Sequence, residues 1–123
     1  MVVGICRVVL SLPWNDSLKG KRSVVKSILE RARNRFHVAA AEVDDLDAHR
    51  RATLGFAVVS NEARHVESIL DKLVRFVAGA TQAEIIDQSR IIEHRDLGLT
   101  GSEGNRDNPF DWNDEDGDDE EED

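Results

Sequence analysis

The sequence predicts an α+β domain in which two helices cover one face of a four-stranded antiparallel sheet, in the chain order strand, helix, strand, strand, helix, strand. Three observations lead there. Two segments, Val2 to Leu12 and Arg51 to Ser60, alternate apolar and polar or small residues with the period of a half-buried strand. Each is followed by a segment whose apolar residues recur at helical spacing, and a further strand-like segment follows each helix.

In Val2 to Leu12, Cys6, Val8, Leu10 and Leu12 fall on one face and Arg7, Val9 and Ser11 on the other. Pro13-Trp14-Asn15-Asp16 ends this strand, and Ser17 or Asp16 is placed to cap a helix. From Leu18 to Arg35, Val24, Val25, Ile28, Leu29 and Ala32, with Phe36 beyond, make one apolar stripe. His37 to Val43 reads as a short strand running into the acidic loop that contains Asp44, Asp45 and Asp47. Arg51 to Ser60 places Ala52, Leu54, Phe56 and Val58 on one face and Thr53, Gly55, Ala57 and Val59 on the other. Glu62 to Ala78 carries Val66, Ile69, Leu70, Leu73, Val74 and Val77 at helical spacing, with Gly79 as its expected stop. Ala83 to Glu93 completes the sheet, and the order of elements is that of a ferredoxin-like fold.

The chain has 123 residues and a net charge of -9, and that charge is unevenly distributed. Residues 1–97 hold 15 basic and 13 acidic side chains, or +2, whereas residues 98–123 hold Arg106 against 12 acidic side chains, or -11. We expect one domain over 1–97 and an acidic, disordered tail over 98–123. Cys6 is the only cysteine, which excludes an internal disulfide framework and suits a reducing cytoplasm. No segment approaches the ~20 apolar residues needed to cross a bilayer, so no membrane partner is expected.

Several stretches resemble a known family. Ser17-Leu18-Lys19-Gly20-Lys21-Arg22-Ser23-Val24-Val25-Lys26-Ser27, then Arg33-Asn34-Arg35-Phe36, Ala41-Glu42-Val43-Asp44 and Leu54-Gly55-Phe56-Ala57-Val58-Val59-Ser60-Asn61 are similar to the YlxP family of small bacterial proteins of unknown function. The resemblance covers about residues 1–93. It implies a ferredoxin-like fold, and also a translation or ribosome-biogenesis setting, because genes of that family commonly lie beside those for initiation factor two and ribosome-binding factor A. Gly20, where the family usually has an acidic residue, and His49, where it often has tryptophan, depart from the pattern.

The first helix carries the strongest chemical signal. Lys19, Lys21 and Arg22 occupy its first turn, where the helix dipole disfavours cations and favours anions. Lys26, Arg33 and Arg35 continue the basic surface. We therefore expect a non-catalytic RNA- or ribosome-associated factor that contacts phosphate through Lys19, Lys21, Arg22, Lys26, Arg33 and Arg35. A solvated helix face with surface ion pairs is the bland alternative. The alternative function is a protein-interaction module, a homodimer using the open face of the sheet, because that face lacks the aromatic platform of RNA-recognition domains. Glu42, Asp44, Asp45, Asp47 and His49 do not have the spacing of an EF-hand or zinc site, so no metal is expected, and no cofactor motif is present. No nucleophile, base and oxyanion arrangement is legible, which argues against an enzyme. In the tail, Phe110 and Trp112 precede a run of nine acidic residues from Asp114 to Asp123 broken only by Gly117. It reads as a solubilising extension, with docking on the basic helix as the other possibility.

Overall fold

The computed structural model describes residues 1–80 and 82–98. Its elements are β1 (Val2–Ser11), α1 (Leu18–Phe36), β2 (Ala39–Asp44), β3 (Arg51–Ser60), α2 (Ala63–Gly79) and β4 (Glu84–His94). The sheet order is β2-β3-β1-β4, every neighbouring pair is antiparallel, and the fold is ferredoxin-like. β1 and β3 are the central strands. They also have the clearest alternation, because a central strand under a helical layer buries one face completely.

The helix-facing side chains of β1 and β3 are those the alternation selects. Cys6, Val8, Leu10, Leu12, Ala52, Leu54, Phe56 and Val58 are all buried. Val25, Ile28, Leu29 and Ala32 of α1 and Val66, Leu70, Leu73 and Val77 of α2 close the core from above. Burial pushes the Cys6 thiol above its usual pKa, partly offset by the Arg90 charge, so the thiol stays protonated and serves as a small apolar side chain.

Two boundaries move for local reasons. His37 was expected to open the second strand, but it adopts the left-handed conformation (φ 55°) and caps α1, its N–H donating to Arg33 O at 3.0 Å. β2 therefore begins only at Ala39. Gly79, the expected stop of the second helix, is instead its last helical residue, and Ala80 caps it without leaving the right-handed region. The acidic tail from residue 99 onward, and the expectation that it is disordered, lie outside the described residues.

Gly4 marks the closest approach of sheet and helix. A methyl group there would run into Val66 Cγ1 and come within 3.2 Å of Leu70 Cδ1 and Val58 Cγ1, all in the packed core. Gly4→Ala should therefore destabilise the domain by about 1–3 kcal/mol through overpacking. The expected result is a lower urea midpoint at unchanged m-value.

Candidate nucleic-acid interface

α1 starts where the sequence places it. Ser17 is extended (φ -148°) and its Oγ accepts from Gly20 N–H at 3.0 Å, which satisfies one of the free donors of the first turn. No acidic residue occupies that turn. A side chain at Gly20 would run into Asn15 Oδ1 and lie 3.1 Å from Ser17 Oγ, so Asn15 would have to shift to admit one.

The six basic residues expected to form a phosphate surface divide into three groups. Lys19, Arg22 and Lys26 are exposed, have no ion-pair partner among the described residues, and at spacings of three and four fall on one side of the helix. Lys21 is not on that surface. It is completely buried, four residues before Val25 and seven before Ile28 on the core stripe, and cannot reach a phosphate. Arg33 and Arg35 are exposed but engaged. Arg33 donates to Ala40 O of β2 at 2.6 Å, and the Arg35 guanidinium lies 5.4 Å from the Phe36 ring centre and 5.7 Å from that of Phe76. Arg31 stacks on Phe76 as well, at 5.3 Å.

The burial of Lys21 has a definite chemistry. An ammonium has three protons, and Nζ lies 2.6 Å from Asp45 O, 3.2 Å from Leu46 O and 3.3 Å from Arg51 O. Glu42 Oε2 lies 2.9 Å from the same nitrogen, closer than two of the carbonyls, in a buried salt bridge. The carbonyls and the carboxylate together surround the ammonium, and the carboxylate supplies the opposite charge. Asp45 holds its carbonyl in place through a left-handed backbone (φ 61°), while its Oδ2 accepts from the buried Thr53 hydroxyl at 2.7 Å.

Asn15 reinforces the junction. Its Nδ2 donates to Ser17 O at 2.7 Å and to His49 O at 2.6 Å, and Arg50 Nε donates back to Asn15 O at 3.0 Å. The Glu42–His49 segment is thereby tied to the start of α1. Among the described residues, no three His, Cys, Asp or Glu side chains converge as metal ligands. Asn15 gave no signal in the sequence beyond its place in a turn.

The open face of the sheet is apolar at one end, which the residues from Arg7 to Ser11 of β1 do not reveal. Val3 and Ile5 of β1 and Ile91 of β4 join Ala57 and Val59, with Ile5 opposite both Ala57 and Ile91 and Val3 opposite Val59. Ile5 is 48%, Val59 60% and Ile91 56% exposed. Toward the other end the same face becomes polar, with Arg7 paired to Asp87 at 3.1 Å beside Arg51, Asp44 and Asp45 around a shallow cleft. No aromatic side chain lies on either central strand's open face.

These features belong to a small ferredoxin-like domain with a basic first helix and a buried lysine beneath the loop between β2 and β3. A family model described as a protein of unknown function (DUF503) matches residues 3–90, and the chain belongs to that family. It is 35% identical over 68 residues to a protein named "Uncharacterized protein YlxP" from Bacillus subtilis (strain 168), covering 55% of this chain and 74% of that one. Among solved structures, a de novo designed protein with a ferredoxin fold superposes with a TM-score of 0.50 at 13% identity, covering 83% of this chain and 92% of the designed one, which is a likeness of fold alone.

Removing the Lys21 ammonium leaves three carbonyls and a carboxylate without their cation. Lys21→Met should cost about 3–5 kcal/mol. Pairing it with Glu42→Gln should recover part of that loss, as measured by chemical denaturation of the single and double variants in a mutant cycle.

Proposed function

We propose that this domain is a non-catalytic RNA- or ribosome-associated factor whose phosphate contacts come from Lys19, Arg22 and Lys26. The observation that carries the reading is the contrast within α1. Its buried or engaged cations have internal partners, whereas these three share one side of the helix, Lys19 and Arg22 lie in a first turn without acidic residues, and none has a carboxylate partner among the described residues. Cations held together without counter-charges favour a polyanion, and the gain is the release of its condensed counterions. The translation setting implied by the YlxP resemblance makes structured RNA the polyanion of choice.

Lys21 does not belong in the test, because its reversal would report on folding. Lys19→Glu, Arg22→Glu and Lys26→Glu together should abolish co-sedimentation of the full chain with ribosomal particles while leaving its thermal transition within a few degrees of wild type. Unchanged co-sedimentation of that variant overturns the proposal.

A second reading, a homodimer through the open sheet face, draws support from the exposed Ile5, Val59 and Ile91. Four strands about 4.8 Å apart and about 33 Å long present roughly 600 Å² per copy. Two copies together would bury on the order of 1,200 Å², the lower bound of a specific interface. The polar end carries both signs of charge, so a twofold partner can set Arg7 or Arg51 of one copy against acidic residues of the other. Under this reading wild type sediments as a dimer and Ile5→Asp as a monomer; a monomeric wild type at 100-micromolar-scale concentration, about the weakest affinity of interest, removes it.

A further inference from the structure

We propose that the cleft between the C-terminal end of α1 and the first half of α2 binds a nucleotide, with its base on an apolar floor and its phosphate on the α2 side. The cleft has a volume of about 480 Å³, within the range of small-molecule sites. Phe36, Val58 and Ile69 give its apolar side chains, and Val59 borders it at the strand edge. The other lining side chains are Arg35, His37, His65 and Lys72, so every titratable group lining it is basic or an imidazole and none is a carboxylate.

The chemistry favours an aromatic anion over an aliphatic one. Phe36, His37 and His65 are planar rings and Arg35 ends in a planar guanidinium, the groups on which proteins stack unpaired bases. The sheet face lacks such a platform, and the cleft holds one. His65, Ile69 and Lys72 line it at i, i+4 and i+7 of α2, so one helix face delivers an imidazole, an apolar contact and an ammonium together. Ser60 Oγ lies 3.1 Å from His65 Nδ1 and fixes the direction of that ring.

Backbone groups complete the site. β2 pairs with β3 only as far as Ala39 opposite Ala57, so the outer edge of β3 from Val58 to Ser60 has no strand beside it. An unpaired strand edge offers N–H and C=O groups to the polar rim of a base. The negative end of the α1 dipole lies at Phe36 and His37, which places the phosphate away from it, toward Lys72 and His65.

The inference rests on the RNA reading only for the source of the nucleotide. Amide shifts of the full chain titrated with adenosine 5′-monophosphate, adenosine or inorganic phosphate test it directly. The monophosphate should move residues 35–37, 58–60 and 65–72 in one saturable process, with adenosine and phosphate each at least fivefold weaker, the scale of one stacking contact. Lys72→Ala should weaken the monophosphate at least threefold and leave adenosine unchanged, while His65→Ala weakens both. Shifts centred elsewhere, equal binding of all three probes, or wild-type affinity in Lys72→Ala overturn the inference. A single-stranded trinucleotide binding at least fivefold more tightly than the monophosphate identifies an RNA strand as the source, and equal affinity identifies a free nucleotide; both support the cleft. The triple α1 variant should bind the monophosphate normally, so loss of ribosome association there with retained binding here separates the two proposals.

Discussion

A single buried ammonium organises the end of this domain where α1 begins. Lys21 Nζ is surrounded by the carbonyls of Asp45, Leu46 and Arg51 and by the Glu42 carboxylate, and no part of the residue reaches solvent. A charge in that position is tolerable only because each proton has an acceptor and a carboxylate balances the field. The loop between β2 and β3 contributes two of these groups, Glu42 comes from β2 and Arg51 is the first residue of β3. Lys21 of α1 and Asn15 just before it tie that loop to the start of the helix. The left-handed Asp45, its bond from Thr53 and the Asn15 bridge to His49 all serve the same junction.

This junction also governs which cations remain for function. With Lys21 drawn inward, Lys19, Arg22 and Lys26 turn outward on the opposite side of the helix. Near the other end of α1, Arg31 and Arg35 lie against Phe76, whose ring meets that of Phe36 edge-on with 5.6 Å between centres, while Arg33 reaches the edge strand. A helix with a uniform basic composition is therefore divided. Its first half carries charge that is unpaired among the described residues, and its second half is an aromatic and guanidinium assembly that borders the cleft beside Val58.

The sheet has two faces of different character for a topological reason. Both crossover connections place their helices on one side, leaving the other uncovered. Val3, Ile5, Val59 and Ile91 occupy one end of the uncovered face and paired charges the other. Because β2 is short, β3 projects beyond it, and the cleft forms where the two layers meet at that unpaired edge.

Much of the fold was legible in the order of residues. The period-two alternation around Cys6–Leu12 and Ala52–Val58 and the helical spacing of Val25–Ala32 and Val66–Val77 report burial directly, since each element has one covered face. The candidate site was legible only in part. A helix rich in Lys and Arg identifies a basic segment, but lysine has the composition signal of a surface residue wherever it lies. Lys21 became a core residue because acceptors 24, 25 and 30 positions later converge on it. Likewise the cleft is drawn from residues 35–37, 58–59 and 65–72, which no local pattern joins. The sequence by itself determined the elements, their buried faces and the separation of basic body from acidic tail. Tertiary structure alone decided which cations are drawn inward or onto rings and which stay exposed, because that depends on carbonyls and rings brought together from distant parts of the chain.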